Sequence, residues 1–211
     1  MTILFDLDGT LIDSTEAILE SFHRSFRLLG GTPPDDEAIK RLIGHPLDAM
    51  YRDLGVESDR VETYVQTYKA HYRVISRAKT HLLPGAKEAI EEAAAFARLG
   101  VVTTKTARYS KELLEHMEVM DAFEVLIGRE DVMHPKPHPE PVYRAIEAMQ
   151  ADTSRCWLVG DTRLDAGAAA AAGIGCVGVL SGYDGREQLE TLTPHICDNA
   201  LEAVRFLACK G

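Results

Sequence analysis

The sequence predicts an α/β fold, a doubly wound parallel sheet with an inserted all-helical cap domain. Three observations predict it. Short apolar runs recur along the chain: Ile3-Leu4-Phe5, Val101-Val102-Thr103, Val125-Leu126-Ile127, Trp157-Leu158-Val159 and Cys176-Val177-Gly178-Val179. Each has the length of a buried strand. Helical periods separate the later runs, and alternating strand and helix implies parallel strands joined by right-handed crossovers. One long stretch, from Ser14 to Leu82, carries helical periods only.

The elements follow in order. The first strand run begins almost at the first residue, which predicts that no signal peptide precedes it. Helical periods then cover 15–29, 35–42, 46–54 and 58–77, punctuated by Gly30-Gly31-Thr32-Pro33-Pro34 and Gly44-His45-Pro46. This block reads as a cap spanning 14–82, inserted into a core made of 1–13 and 83–211. Beyond it, 86–99 reads as a helix ended by Gly100, and 109–119 carries Leu113, Leu114 and Met117 at helical spacing. Residues 141–150 do the same with Val142, Ile146 and Met149, and Cys209-Lys210-Gly211 reads as a frayed end.

Composition narrows the function classes. At 211 residues the chain accommodates one domain plus a modest insert. Hydrophobic residues at 45% and charged residues at 27% are those of a soluble globular protein. A net charge of −10 argues against nucleic acid or an anionic membrane as partner. It also requires a local positive site for any anionic substrate. The longest uncharged stretch, Ala166 to Tyr183, is rich in Ala and Gly and predicts no membrane span. Cys156, Cys176, Cys197 and Cys209 lack metal-ligand spacing and read as the reduced thiols of a cytoplasmic protein.

Four segments carry chemistry. In Phe5-Asp6-Leu7-Asp8-Gly9-Thr10 the two acids lie two apart, so they share a face where a buried strand ends. Like charges held close call for a proton or a cation, and Mg²⁺ suits carboxylates together with phosphate. Gly9 lets the backbone approach a phosphate closely. The alternative for the segment read alone is a solvated acidic turn, in which Asp-Gly marks a bend. Thr103-Thr104-Lys105 offers a hydroxyl and free amides at a strand end, although Thr is also an ordinary strand residue. In His134-Pro135-Lys136-Pro137-His138-Pro139-Glu140-Pro141 the prolines hold Lys136 rigidly before a helix start, while His134 and His138 read as loop histidines. In Gly160-Asp161-Thr162-Arg163-Leu164-Asp165 two acids four apart share one side of a helix entry, where capping would explain one acid more easily than two. Each segment follows its own strand, so a parallel sheet gathers all four along one edge.

In that order the segments resemble the motifs of the haloacid dehalogenase superfamily of phosphotransferases, over essentially the whole chain. Asp6-Leu7-Asp8-Gly9-Thr10 resembles its first motif, Thr103 its second, Lys136 its third, and Gly160-Asp161 with Asp165 its fourth. The insert resembles the C1 cap of the phosphoglycolate phosphatase-like branch. The resemblance implies a nucleophile at Asp6 and an acid/base at Asp8. It implies Mg²⁺ on Asp6, the carbonyl of Asp8 and Asp161, with Asp165 supporting through water. It further implies hydrolysis of a small phosphorylated metabolite through an aspartyl-phosphate, by a monomer or homodimer.

Asp8 argues against the dehalogenases, which lack the second acid, and Gly9-Thr10 against the mutase branch that includes β-phosphoglucomutase. Lys40, Lys69 and Lys79 lack the pattern expected around a Schiff-base lysine. Thr103-Thr104-Lys105 departs from the Thr-Asn-Lys common in phosphoglycolate phosphatases and, with Asp131-Val132-Met133-His134, is similar to pyrophosphatases of the branch. A phospho-accepting receiver domain is the alternative of another class, but receivers are shorter and carry no helical insert. Gly44-His45-Pro46 resembles the cap loop that dips toward the phosphate, with Arg41 one turn earlier. His45, Arg41, Thr104 and Gly9 are the expected substrate contacts. The short cap predicts a small closed cavity, suited to phosphoglycolate and then pyrophosphate rather than nucleotides or hexose phosphates.

Overall fold

The computed structural model describes residues 1–210. Strand β1 (Thr2–Phe5) lies at the middle of a six-stranded parallel sheet. Its other members are β4 (Arg98–Val102), β5 (Val125–Ile127), β6 (Cys156–Gly160), β7 (Gly175–Val179) and β8 (Ile196–Cys197). The spatial order is β5-β4-β1-β6-β7-β8. Alternation along the strands divides the core in two. Ile3, Phe5, Val101, Val159 and Val177 face α5 (Ala86–Ala94), α6 (Ala107–His116) and α10 (Ala200–Ala208). Leu4, Val102 and Leu158 face α7 (Glu140–Met149) and α8 (Arg163–Ala172) through Val142, Ala145, Ala168 and Ala169. Helices on both faces leave the carboxyl edge of the strands free for loops.

A two-stranded antiparallel ladder stands where the chain leaves the sheet region and returns. In it β2 (Ile12–Asp13) pairs with β3 (His81–Leu82), Ile12 opposite Leu82 and Asp13 opposite His81. Between them lie α1 (Thr15–Leu28), α2 (Asp36–Lys40), α3 (Leu47–Asp53) and α4 (Val61–Ile75). These helices bury an aromatic core of their own. Phe22 meets Tyr51 at 4.7 Å and Tyr68 at 5.1 Å between ring centroids, and Phe26 meets Tyr64 at 5.0 Å. Such tilted and edge-on pairs are favourable beyond the area they bury.

Two stretches differ from expectation. The helix expected over 86–99 stops at Ala94, and Gly100 is an interior residue of β4 rather than a helix end. A Cβ at Gly100 would stand 2.9 Å from side-chain atoms of both Leu4 and Val125, so this glycine admits its neighbours inside the sheet. Strand β8 and α9 (Arg186–Leu189) went unanticipated. Cys209 and Lys210 are exposed beyond α10, and Gly211, the rest of the expected frayed end, lies outside the described residues. The four cysteines are free, and among the described residues no helix is long and apolar enough to cross a membrane.

Candidate active site

Three adjacent strands deliver the central groups. Asp6 follows β1, whose neighbour β4 leads into Thr103 and whose other neighbour β6 leads into Asp161. The Asp6 amide donates to the Val159 carbonyl at 2.9 Å, which extends the ladder one residue and fixes where Asp6 points. The turn after it is tight, since the Leu7 carbonyl accepts from the amides of Thr10, Leu11 and Ile12. Lys136 arrives from the proline-rich loop after β5. That loop is pinned by Glu140, whose carboxylate accepts from the amides of Met133 and His134 at 3.0 and 2.9 Å. Those two amides draw the Glu140 carboxyl down to about 2.

Asp6, Asp161 and Asp165 are all buried and bring one carboxylate oxygen each within 4.8 Å of the others. Lys136 Nζ lies 2.9 Å from Asp6 Oδ1 and 2.5 Å from Asp165 Oδ1, and donates to the Val102 carbonyl at 3.0 Å. Two of the three carboxylates thus share one ammonium. Burial pushes Asp6 up to about 6, opposed by Lys136 and assisted by the charges of Asp165 and Asp8. Burial, then the charges of Asp165 and Asp6, raise Asp161 as well. Burial works against the Lys136 ammonium, but Asp165 and Asp6 outweigh it and hold the lysine charged.

This arrangement fits a hard divalent cation. Asp6 Oδ1 is buried and, apart from the charge contact with Lys136, has no hydrogen-bond partner. Asp161 is oriented in advance, accepting from Thr10 Oγ1 at 2.8 Å and from the Tyr183 amide at 3.0 Å. The space around it depends on two missing side chains. A Cβ at Gly9, where φ is +84°, would meet Asp161 Oδ2 at 2.4 Å, and one at Gly182 would meet it at 1.9 Å. Asp165 is more fully engaged, because Lys136 and the amide and hydroxyl of Thr162 use its oxygens. Oxygen donors of this charge and burial suit Mg²⁺ with water and phosphate completing its shell.

Asp8 stands apart from this cluster. Ser14 Oγ donates to its Oδ1, and Lys105 Nζ lies 2.9 Å from its Oδ2. Lys105 also sits 4.7 Å from the centre of the Tyr72 ring, so it links the first turn of the core to α4. Burial opposes the Lys105 charge, yet Asp8 and Tyr72 raise its pKa. Thr103 is buried, and its hydroxyl accepts from the Lys105 amide at 3.2 Å, leaving its own proton for another acceptor. The Thr104 hydroxyl, an expected substrate contact, instead donates to the Gly44 carbonyl at 2.8 Å and ties the helical block to the sheet.

A cavity of about 420 Å³ opens between the two, with Asp8, Thr104 and Lys105 at its base and Gly44 and His45 on its wall. Arg41 is exposed at the end of α2 and does not line it. The expectation of a small cavity is not met. Phe22, Tyr68, Tyr72 and Tyr109 stand around a space far larger than a two-carbon acid needs. His134 and His138 lie outside the site, their rings 4.6 Å apart on the exposed face of the loop. Three further groups at the site, Ser14, Gly182 and Tyr183, escaped the sequence reading, which held Lys105 only as part of the Thr103-Thr104-Lys105 segment. The run Ser181-Gly182-Tyr183 directly after the β7 pattern was the available signal, since the Ser181 hydroxyl donates to the Gly9 carbonyl at 2.8 Å.

Known proteins share this architecture. The profile described as haloacid dehalogenase-like hydrolase matches residues 3–179. A phosphatase of Dickeya dadantii, named "Probable phosphatase IndB", is 34% identical over 92% of this chain and 87% of its own length. Pyrophosphatase PpaX of Anoxybacillus flavithermus is 32% identical over 92% and 89% of the two chains. A phosphoglycolate phosphatase of Colwellia psychrerythraea is 28% identical over 92% and 91%. Among solved structures, a haloacid dehalogenase-like family hydrolase from Streptococcus pneumoniae superposes with a TM-score of 0.88 at 26% identity, covering 97% of both chains.

Proposed function

The chain belongs to the haloacid dehalogenase-like hydrolases, and within that family we propose that it is a Mg²⁺-dependent phosphatase acting on a small phosphorylated metabolite through an aspartyl-phosphate at Asp6. The observation that carries this reading is the gathering of Asp6, Asp161 and Asp165 with Lys136 at the ends of adjacent parallel strands. Asp6, Asp161 and the carbonyl of Asp8 would hold the cation, with Asp165 supporting it. When bound, Mg²⁺ supplies charge neutralisation for the phosphoryl oxygens.

The chain's own groups account for the rest. An Asp6 oxygen forms the new bond to phosphorus as the bond to the leaving oxygen breaks, and Asp8 gives that oxygen its proton. Asp8, now a carboxylate, takes a proton from the water that attacks the phosphorus and frees Asp6. Lys136 holds Asp6 and meets the phosphoryl charge. The Thr103 hydroxyl has a proton to donate to a phosphoryl oxygen, and Gly9 keeps the approach clear. The helical block between β2 and β3 acts as the cap, positioned by the Thr104–Gly44 bond, with His45 at its contact with the substrate.

A small phosphomonoester, phosphoglycolate, is the first candidate, and pyrophosphate, an anhydride, is the second. The named activities of the Colwellia and Anoxybacillus relatives support the two respectively. The four free cysteines support a cytoplasmic setting. Asp6→Asn tests the assignment. Loss of the nucleophile should leave under about a hundredth of wild-type phosphate release, and greater residual activity would sink it.

A further inference from the structure

Asp161 is held by two donors of different origin. Thr10 Oγ1, at 2.8 Å from its Oδ1, belongs to the tight turn after β1. The Tyr183 amide, at 3.0 Å from its Oδ2, belongs to the loop after β7. The side chain of that same residue reaches into the helical block. Its ring packs against the cluster that Ala17, Ile18, Phe22 and Tyr68 help to form there. Its hydroxyl lies 2.9 Å from Thr15 Oγ1, on the first residue of α1. One residue thus holds a carboxylate of the proposed metal site through its backbone and the helical block through its side chain.

The loop between these two attachments has little slack. At one end the Ser181 hydroxyl donates to the Gly9 carbonyl at 2.8 Å. At the other, Asp184 Oδ2 accepts from the amide and the Nε of Arg163, at 2.7 and 3.0 Å, where α8 begins. Between them Gly182 lies so close that a Cβ there would stand 1.9 Å from Asp161 Oδ2. A loop pinned at both ends and pressed against the carboxylate cannot absorb a shift of the Tyr183 ring without moving the Tyr183 amide. The receiving end is as firmly set. Asp13 Oδ1 accepts from the Thr15 amide at 2.9 Å and Ser14 Oγ donates to Asp8, which fixes the first turn of α1 where the helical block begins.

We infer that Tyr183 is a positioning residue that couples docking of the helical block to the orientation of Asp161, so that docking and Mg²⁺ binding reinforce each other. With Thr15 engaged, the ring is fixed and the amide is aimed at Oδ2, which leaves the other lone pairs of Asp161 turned toward the cation. With that hydroxyl bond lost, the amide samples more orientations and the carboxylate is less prepared. Such coupling is reciprocal, since a docked block that tightens metal binding must itself be tightened by the metal. The inference rests on the phosphatase reading only for the place of the metal, at Asp161.

The test is calorimetric Mg²⁺ affinity of the full chain without substrate, for wild type, Tyr183→Phe, Thr15→Val and the double variant. Each single change should weaken binding about three- to fivefold, within the worth of one neutral hydrogen bond. The double variant should be no weaker than the weaker single one, because both changes remove the same bond. Thr15→Val is the sharper arm, since Thr15 supplies no ligand and belongs to the helical block. Hydrogen exchange reads the reciprocal effect. In wild type, Mg²⁺ should slow exchange at the Ile18 amide, which donates to the Ser14 carbonyl at 2.9 Å, and in Tyr183→Phe that slowing should disappear. A merely structural tyrosine would lower the melting temperature in chelator and leave both readouts unchanged. Wild-type Mg²⁺ affinity in either single variant, or losses that add in the double variant, would overturn the coupling and leave the metal site standing. No Mg²⁺ binding by the wild type would defeat the metal site itself, and the coupling with it.

Discussion

Replacing Asp6 with Asn should stabilise the metal-free protein at neutral pH while it destroys turnover. In the folded chain Asp6 is raised from an ordinary 3.8 to about 6, chiefly by burial, so the native state binds the proton more tightly than the unfolded state does. Stability from this group is therefore present below pH 3.8 and is lost as the pH rises toward 6. At about 1.4 kcal/mol per pH unit, the interval costs the metal-free wild type about 3 kcal/mol at pH 7. Asn stands in for the neutral carboxyl and avoids that cost. For a chain of 211 residues this corresponds to about 6–12 °C in melting temperature. The assay is thermal unfolding of both proteins in excess chelator from pH 4 to pH 8. The Asn variant should melt higher at pH 7, and the gap should shrink below about pH 5. Magnesium should raise the wild type more than the variant, since only the wild type keeps all three carboxylates. A variant that melts below wild type at pH 7 in chelator, or a gap independent of pH, would refute the reasoning.

Three shorter predictions accompany it. Activity should vanish in chelator, return with Mg²⁺ and return poorly with Ca²⁺, whose larger, looser shell spoils in-line geometry; full activity in chelator contradicts the metal role of Asp161. Asp8→Asn should cut turnover about a hundredfold or more yet keep metal affinity, because the expected ligand there is the carbonyl; loss of affinity as severe as in Asp161→Asn would misassign the acid/base. Gly182→Ala should weaken metal binding strongly without removing any ligand, because its Cβ would lie 1.9 Å from Asp161 Oδ2; calorimetric Mg²⁺ affinity equal to wild type would show that the loop simply yields.

The acids and the lysine of the site were legible in the sequence because each follows a strand whose apolar run announces it, and parallel strands end on one edge. What escaped depends on contacts between distant residues. Thr10 and Asp161 are 151 residues apart, and Ser181 and Gly9 are 172 apart. No local pattern records such pairs. Gly100 misled for a related reason. The run Glu91-Glu92-Ala93-Ala94-Ala95 favours helix locally, but pairing of Gly100 with Leu4 and Val125 makes the following residues a central strand. The size of the cavity was out of reach as well. The length of the helical block is visible in sequence, but how far its helices stand off depends on the Thr104–Gly44 bond and on where Tyr72 rests against Lys105.

The central claim is a covalent phosphoryl group on Asp6. Rapid acid quench of the Asp8→Asn variant, in which breakdown of the intermediate should be slowed, traps whatever the enzyme carries during turnover. Borohydride then reduces an aspartyl-phosphate to homoserine, which peptide mass spectrometry locates by residue. The account requires homoserine at position 6, formed only when substrate and Mg²⁺ are both present and absent in the Asp6→Asn protein. Substrate turnover with an unmodified Asp6, or with the label at any other residue, would contradict it.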